Sequence, residues 1–444
     1  MAAALSPESA PAGHSHGHDH GLAGGWHEWS RDATLRVVLA LVVVAALATV
    51  AGVIALWPDG EGRQTITEKA NELGLISDRL EATVEEVVNR RCRFSTDDDP
   101  RECVDLTVVL NTDPNEGVVV ALSELRVEFN RGLTDLSVGD EVVLGYFESS
   151  NTYFFADRER RASLVWLAAL FAIVVVALGR FRGVLALLAM VATLAVLVGF
   201  VAPSALDGND PLVVAVVAAS AIAFVSLYLT HGFTPTTTVA LAGTLGALAL
   251  TLGLSWLFFE FAAFTGLATD EALILPFIAE NLDVRALILG GAIIGALGAL
   301  DDVTVTQVAT VAELRHRSPH LPTSELVASG IRVGRDHIAS TVNTLLLAYA
   351  GASMPLLLLF AVSDQSLAEV ANSEVIAVEI VRTLCGSIGL VAAVPITTAL
   401  AAAVLRPQSE VASPLETPVV DLDVQDALEG EPRWEDFSPR ADEE

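Results

Sequence analysis

A series of apolar runs, each about 20 residues long and nearly free of charged side chains, constrains the fold of this chain most strongly. As an α-helix, a run of this length crosses the ~30 Å hydrocarbon layer of a bilayer. The eight runs that we interpret as spans are residues 35–57, 163–179, 184–201, 212–230, 237–259, 284–300, 340–362 and 375–405. Charged residues make up only 18% of the 444 residues, against about 25% in a soluble chain. The sequence therefore predicts a mainly α-helical, polytopic membrane bundle of about eight spans, and it excludes a soluble enzyme and a disulfide-rich secreted scaffold.

Arginine residues in the short connections predict the orientation of the spans, because cytoplasmic loops carry an excess of Lys and Arg. The arginines that flank the spans on one side are Arg31, Arg36, Arg180, Arg182, Arg315, Arg317, Arg332, Arg335 and Arg406. The short loops on the other side, 203–211, 260–283 and 363–374, contain no Lys or Arg. We therefore expect both termini in the cytoplasm, a first anchor at 35–57, an external insert at 58–162 and a seven-span domain at 163–405.

The two ends of the chain are polar and lack any apolar period, so both are predicted to be disordered. The leader, 1–34, contains four alternating histidines, His14, His16, His18 and His20. Four imidazoles on a flexible tether favour a divalent metal such as zinc, and a merely polar leader is the alternative. The tail, 406–444, is acidic and is either a solvated segment or a docking site for a partner protein. With 25 basic and 55 acidic residues, the chain is not expected to bind nucleic acid.

The external insert has the composition of a small all-β domain. Segments 80–88, 104–110, 140–147 and 152–156 are candidate strands, rich in β-branched and aromatic residues and separated by turn residues. Several short strands over about 95 residues favour a small closed barrel, and we expect an OB-like one that acts as a structural cap. Cys92 and Cys103 lie in this insert and could pair if it faces an oxidising compartment.

The end of the sixth run carries the first candidate polar site. Gly291, Gly295 and Gly298 form a small-residue face that allows close helix packing. Two acids, Asp301 and Asp302, follow directly, and on a continuing helix Asp302 shares a face with Thr306. These oxygens would suit a hard cation or a proton. The alternative is that the acids end the span at the cytoplasmic headgroups.

The start of the seventh run carries the second candidate site. Asp336, Ser340, Asn343 and Thr344 fall at i, i+4, i+7 and i+8, which is one helical face. A polar stripe on a span is expected to face the bundle interior, where Arg335 could pair with Asp301 or Asp302. An interfacial anchor with ordinary interhelical hydrogen bonds is the alternative.

Both sites lie in segments that resemble a known family. The segment 295–303, Gly-Ala-Leu-Gly-Ala-Leu-Asp-Asp-Val, the segments 334–336 and 343–345, and Gly-Ala-Ser-Met-Pro at 351–355 are similar to the YibE/F-like family of bacterial membrane proteins. Residues 238–246 fit as well, and the likeness covers roughly 80–404. In this resemblance Asp302 matches the family position and Asp301 is an addition. The resemblance implies a multi-pass protein of the bacterial cytoplasmic membrane and brings no substrate.

The motifs of self-contained catalysis are absent from the sequence: it has no P-loop, no nucleophile elbow, no His-Glu-x-x-His and no dinucleotide fingerprint. We therefore expect a protein that is not an enzyme, and most simply a secondary transporter or permease for a small solute or ion, divalent metals included. In this hypothesis Asp302 is the coupling carboxylate, Asp336 and Asn343 are co-ligands, and Arg335 is a gate or counter-charge. The alternative is a non-transporting scaffold or sensor whose external domain binds an envelope ligand.

Overall fold

Helices and a single small sheet follow one another in the computed structural model, which describes residues 33–75, 77–112, 116–148, 150–362 and 365–405. The helices are Ala33–Ala55 (α1), Glu61–Glu72 (α2), Arg161–Val196 (α3), Ala202–Leu206 (α4), Pro211–His231 (α5), Pro235–Phe261 (α6), Asp270–Ile278 (α7), Val284–Arg317 (α8), Thr323–Ala352 (α9), Met354–Val362 (α10), Leu367–Asn372 (α11) and Glu374–Val404 (α12). A π-helical turn at Leu197–Val201 joins α3 to α4. The predicted tail and residues 1–32 of the predicted leader, with the four histidines, lie outside the described residues; residues 33 and 34, predicted as disordered, begin α1.

Six helical segments among the described residues are long and apolar enough to cross a membrane, or seven if α9 and α10 count as one broken span. The prediction of about eight spans is therefore not confirmed in number. The difference arises at two places. The predicted spans 163–179 and 184–201 fall in one 46-residue segment, Arg161–Leu206, and α9 and α10 meet at an angle of 64°. Inside the long segment, Arg180 has φ 51° and ψ −132°, which is not helical backbone.

The helices pack around a centre made by α6, α8 and α12, with α5 and α9 against α8, and with α1 and α3 against α5. Fully buried apolar side chains from these helices, such as Leu241, Ile293 and Leu390, form one continuous core. The outer surfaces are also apolar: Trp166 is 77% exposed and Leu178 is 83% exposed. An apolar exterior is unfavourable in water, so this distribution indicates that lipid surrounds the helices. The predicted mainly helical membrane fold is confirmed at this level.

Local capping chemistry explains where the helices of the bundle begin. The Asp210 carboxylate accepts the N–H groups of Leu212 and Val213 at the start of α5. The Thr234 hydroxyl accepts the N–H of Thr237 at the start of α6, and the Asp283 carboxylate accepts the N–H of Ala286 at the start of α8. Side-chain acceptors at this position satisfy otherwise unpaired N–H groups. These caps fix the loop ends from which the spans start.

The β domain is one antiparallel sheet with the strand order β3-β2-β1-β4-β5. The strands are Asp78–Arg91 (β1), Glu102–Leu110 (β2), Val119–Arg126 (β3), Glu141–Phe147 (β4) and Thr152–Arg158 (β5). The sheet curls until β3 and β5 come close, but the described strands form no ladder between these two edges. The insert holds a small curled sheet, whereas the predicted closed, OB-like barrel is not confirmed. Strand β3 was not among the predicted strands.

A disulfide and a docked helix tie the β domain together and to the bundle. Cys92 and Cys103 are bonded at the loop end of the β1–β2 hairpin. Helix α2 lies between α1 and the sheet, and its first turn rests on Asp207, which accepts the N–H groups of Gly60 at 2.9 Å and Arg63 at 3.1 Å. These contacts place the start of α2 at the same end of the bundle as the end of α4.

Candidate functional site

A carboxylate inside the helical bundle is the centre of the candidate site. Asp301, on α8, is partly buried, and its side chain lies beside the hydroxyl groups of Ser226 on α5 and Thr244 on α6. Its Oδ1 atom is buried and has no hydrogen-bond partner. A buried carboxylate oxygen that accepts no hydrogen bond is costly, so this atom calls for a proton, a cation or a bound water.

Two of the hydroxyl groups near Asp301, those of Thr244 and Thr304, have other partners. Thr244 Oγ1 lies 2.6 Å from Thr304 Oγ1 and donates to the Ala240 carbonyl at 3.1 Å, while Thr304 Oγ1 is 3.1 Å from the Asp301 carbonyl. These three contacts share two hydroxyl hydrogens, because each threonine supplies one. The threonines therefore present oxygen lone pairs more readily than hydrogens. Oxygen atoms from three helices at one level are the ligand type that hard cations prefer.

The neighbouring acid, Asp302, points the other way. Its side chain is 74% exposed, and its Oδ2 lies 4.0 Å from Nε2 of His337 on α9. Thr306 is also exposed and donates its hydroxyl to the Asp302 carbonyl at 2.7 Å. Asp302 and Thr306 thus share a helical face, and this face is directed away from the centre of the bundle. Their predicted ion-binding role stays a prediction.

The predicted residues of the seventh run lie along α9. Asp336, Ser340, Asn343 and Thr344 share one face, and all four are exposed, as is Arg335. In the described part of the chain, no hydrogen bond or ion pair joins them to α8, and Arg335 pairs with neither Asp301 nor Asp302. The structure therefore separates Asp301, which lies inside the bundle, from Asp302, Thr306 and the polar stripe of α9, which lie outside.

The predicted packing glycines differ in what surrounds them. A methyl group at Gly295 would lie 3.2 Å from the Tyr349 hydroxyl of α9, whereas Gly291 and Gly298 have open space around that position. The tightest contact between α8, α9 and α12 is instead at Gly334. A methyl group there would lie 2.4 Å from Val394 Cγ1 and 2.9 Å from Gln307 Oε1.

Gln307 is a buried polar residue that the sequence prediction missed. Its side-chain amide donates to the Gly330 carbonyl at 2.8 Å and to Thr398 Oγ1 at 2.6 Å, so it links α8 to α9 and α12. Gly330 and Gly334 stand four residues apart, which is the spacing of close helix contacts in membranes. This spacing was the signal in the sequence that could have located the contact.

A second polar group lies at the break between α9 and α10. Arg382 and Glu379, one turn apart on α12, form an ion pair at 2.8 Å, and Arg382 Nε is buried without a partner. Tyr349 lies close to both charges. Beside them is a cavity of about 190 Å³, lined mostly by apolar side chains and by Ser353 at the helix break.

No group of three or more His, Cys, Asp or Glu side chains that could hold a metal ion occurs among the described residues. The four predicted histidine ligands, His14 to His20, lie outside that part of the chain. A divalent metal on the leader therefore stays a prediction.

Comparison with known proteins identifies a protein family for this chain but no individual protein that matches it. A family model described as YibE/F-like protein matches residues 167–407, which is more than half of the chain and includes α5 to α12 and both candidate sites. No curated protein matches the sequence. No solved structure matches it. The chain belongs to the YibE/F-like family, as its sequence motifs predicted.

Proposed function

We propose that this membrane protein is a secondary transporter or permease for a small solute or ion, with Asp301 as its coupling carboxylate. The observation that carries the proposal is the buried Oδ1 atom of Asp301, which has no hydrogen-bond partner inside a bundle of apolar helices. Ionisable groups within membrane spans are costly and usually mark an ion or proton pathway. Helix packing does not account for this unpaired carboxylate oxygen, whereas a role in ion coupling does.

The surroundings of Asp301 favour a proton or a hard cation as the coupling species. Ser226 and Thr244 lie beside the carboxylate, and the Thr304 hydroxyl is bonded to Thr244, so oxygens from α5, α6 and α8 lie at one level. Protonation of Asp301, or binding of a cation to it, would remove the cost of an unpaired buried charge. Since the sequence has no P-loop, we infer that an ion gradient drives the movement and that ATP hydrolysis does not.

Eight crossings fit this proposal better than six, because the 46-residue segment is too long for one span. At 1.5 Å per residue it would be ~69 Å long, against a hydrocarbon layer of ~30 Å. The backbone breaks at Arg180, and a methyl group at Gly183 would lie 2.3 Å from the Val175 carbonyl oxygen, so the chain turns back on itself there.

The contacts at the ends of this segment support such a hairpin. Arg161 pairs with Glu81 of the β domain, and Asp207 holds the start of α2. Arg182, just after the break, lies close to His231, at the far end of α5 from Asp207. The segment would then leave the outer face, turn at Arg180 on the inner face and return.

In this arrangement the broken helix α9–α10 is one span, and the arginine distribution puts both termini in the cytoplasm and residues 58–162 outside a bacterial cytoplasmic membrane. The β domain would then be a periplasmic or extracellular cap. Its five antiparallel strands and nearly closed edges fit an OB-like barrel.

The test is flux into proteoliposomes that contain the purified full chain and a trapped pH indicator. The driving force is a proton gradient, and the probes are the chlorides of Mg²⁺, Mn²⁺ and Zn²⁺. Asp301→Asn keeps the shape of the side chain and removes its charge, so we expect at least a tenfold loss of flux, or about 1.4 kcal/mol of lost stabilisation. Asp302→Asn is the matched control, because that carboxylate is exposed, and it should keep most of the flux.

Three outcomes would change this assignment. Loss of flux in Asp302→Asn alone would restore Asp302 as the coupling carboxylate. Equal flux in both variants and the unmodified chain, at equal protein density, would remove the coupling role from Asp301. Absence of any flux with protons and with all three metal ions would favour the scaffold or sensor alternative.

A further inference from the structure

The exposed polar stripe on α9 is unusual for a helix in a membrane protein. We call it the α9 polar face and define it as Asp336, Ser340, Asn343 and Thr344. All four residues are exposed. The Thr344 hydroxyl donates to the Ser340 carbonyl at 3.0 Å, within its own helix. The described residues give the Asp336 carboxylate and the Asn343 amide no partner.

Contacts with neighbouring helices show how deep the α9 polar face lies. Gly334 is against Val394 of α12, which is 20 residues, or ~30 Å, from the helix start at Glu374. Tyr349 is against Gly295 of α8, which is 11 residues, or ~16 Å, from the start of that helix. The α9 polar face lies between these two contacts, so Asp336 is near the inner boundary of a ~30 Å hydrocarbon layer, and Ser340, Asn343 and Thr344 lie within its inner half.

Contact between the α9 polar face and lipid is energetically unfavourable. The Asn343 amide lies within the layer without a partner, which is costly, and the Asp336 carboxylate at its inner edge adds to that cost. Polar groups of this kind normally pair with groups on another helix. Within the chain, α9 meets α8 and α12 through other residues, such as Gly330, Gly334 and Tyr349.

We propose that a second copy of this chain covers the α9 polar face, so that two α9 helices pack against each other within the bilayer. This homodimer contact stands independently of the proposed transport activity. It also explains why the described residues offer no partner for these polar groups.

The face is complementary to itself, which is the requirement for a two-fold contact. Arg335 and Asp336 are adjacent and of opposite charge. Two copies with the same orientation in the bilayer are related by a two-fold axis along the membrane normal, so their α9 helices are parallel and cross, and each arginine can lie against the aspartate of the other copy. Asn343 carries a donor and an acceptor on one amide, and two such amides can bond each other.

The side chains along the face are also small enough for close approach. Ser340, Thr344 and Ala348 follow one another at intervals of four residues, and all three are exposed. Small residues at this spacing let two helix backbones approach closely in membranes, where interhelical hydrogen bonds then form. This feature supports the contact that the charges and the amide require.

The experiment is cysteine crosslinking of the full chain in native membranes. The background carries Cys385→Ala, which removes the free cysteine of the described residues and leaves the Cys92–Cys103 disulfide in place. Asn343→Cys is then oxidised with copper phenanthroline. We expect a band at twice the 46.7 kDa of the chain on a non-reducing gel. Val174→Cys is the matched control, because Val174 is an exposed, apolar position on α3, and it should remain monomeric.

A companion variant tests the chemistry of the contact. Asn343→Leu should shift the detergent-solubilised protein from dimer to monomer in size-exclusion chromatography with light scattering, while Asn343→Gln should retain the dimer. An unchanged thermal transition of the monomeric variant excludes misfolding as the cause.

Several results would overturn the proposal. They are equal crosslinking at positions 343 and 174, a crosslinked band of a mass that is not twice the chain, or a dimer that is unaffected by Asn343→Leu. Asp301→Asn separates this proposal from the transport proposal, because it should abolish flux and leave the crosslink at position 343 unchanged.

Discussion

The β domain and the helical bundle both bury apolar side chains, but among the described residues only the helices also bury polar ones. Every described buried residue in the core of the β domain is apolar, and its charges pair at the surface, as Arg90 and Asp105 do at 2.5 Å. In the bundle, large apolar side chains cover the outside and polar ones lie within. The buried polar residues of the described chain all belong to helices: Ser204, Thr237, Thr238, Thr244, Thr251, Ser255, Thr304, Gln307, Arg315, Thr383, Ser387, Thr397 and Thr398.

This difference in buried residues indicates that water surrounds the β domain and lipid surrounds the bundle. In water, burial of apolar surface is the dominant favourable term, so the β domain needs a dry, apolar core. In lipid, the surroundings are as apolar as a leucine side chain, so helices associate by close packing and interhelical hydrogen bonds. A bundle that buries hydroxyl groups, the Gln307 amide and the Arg315 side chain is consistent with the second case. Substitutions of the same type should therefore have unequal effects in the two parts.

The largest effect is expected from a charge in the core of the β domain. Val108, on β2, is fully buried, so Val108→Asp would place an unpaired carboxylate among apolar side chains. Burial of an unpaired charge is among the most destabilising changes known, and we expect a loss of more than about 4 kcal/mol, enough to unfold this domain. Limited proteolysis of the full chain in membranes measures the effect as cleavage within 78–158. Val119→Asp, at an exposed position of β3, is the control and should stay resistant. Resistance of both variants would contradict the assignment of Val108 to a dry core.

Much of this architecture could be predicted because apolar run length and strand composition are strong signals. The predicted spans from 212 onward overlap α5, α6, α8, α9–α10 and α12, and the four predicted strand segments overlap β1, β2, β4 and β5. Strand β3 was missed although 118–122 is a short apolar run. The count of spans could not be settled, because a break at one residue, Arg180, decides between one helical segment and two.

The direction of the polar side chains could not be predicted from the sequence. Asp301 and Asp302 are neighbours, so they point about 100° apart on a helix. Residues 290–300, which precede them, are all glycine or apolar, so no amphipathic pattern there indicates which of the two directions is inward. The same limit applies to α9, where the periodicity grouped Asp336 with Asn343 correctly but could not show that their face is exposed.

A smaller effect is expected from the buried amide that links three helices of the bundle. Gln307→Leu removes the two hydrogen bonds to Gly330 and Thr398 and keeps the apolar volume. Interhelical hydrogen bonds in membranes contribute about 0.6 kcal/mol on average and up to about 1.7, because the separated helices find other partners. We expect a decrease of this size in the free energy of unfolding, measured by denaturant titration in detergent micelles. Thr306→Val, at an exposed neighbouring position, should change it by less than about 0.5 kcal/mol. A loss as large as that of Val108→Asp would mean that the two parts treat buried polar groups alike.

The smallest effect concerns an ion pair at the surface of the β domain and depends on pH. Hydrogen bonds from the Arg90 side chain, together with the Glu124 N–H, hold the pKa of Asp105 below its usual value. A carboxylate with a lowered pKa in the folded state stabilises that state above the pKa of the unfolded chain, about 3.9, and the stabilisation is lost as the pH falls through the folded-state value. The pair is about one-third exposed, so we expect Asp105→Asn to cost only about 0.2–1 kcal/mol at pH 7.

The stability of the β domain in acid depends on all of its carboxylates. The contribution of Asp105 is therefore isolated as a difference between two variants. The stability of the unmodified chain minus that of Asp105→Asn, followed by protease resistance of the β domain, should be constant from pH 7 to about 5 and shrink towards zero below about 3.9. Asp98→Asn, in the exposed loop between β1 and β2, is the matched control and should give a difference near zero throughout. If the stability difference between the unmodified chain and Asp105→Asn grew as the pH fell, the folded state would favour the protonated carboxyl. That result would contradict stabilisation of the Asp105 carboxylate by Arg90.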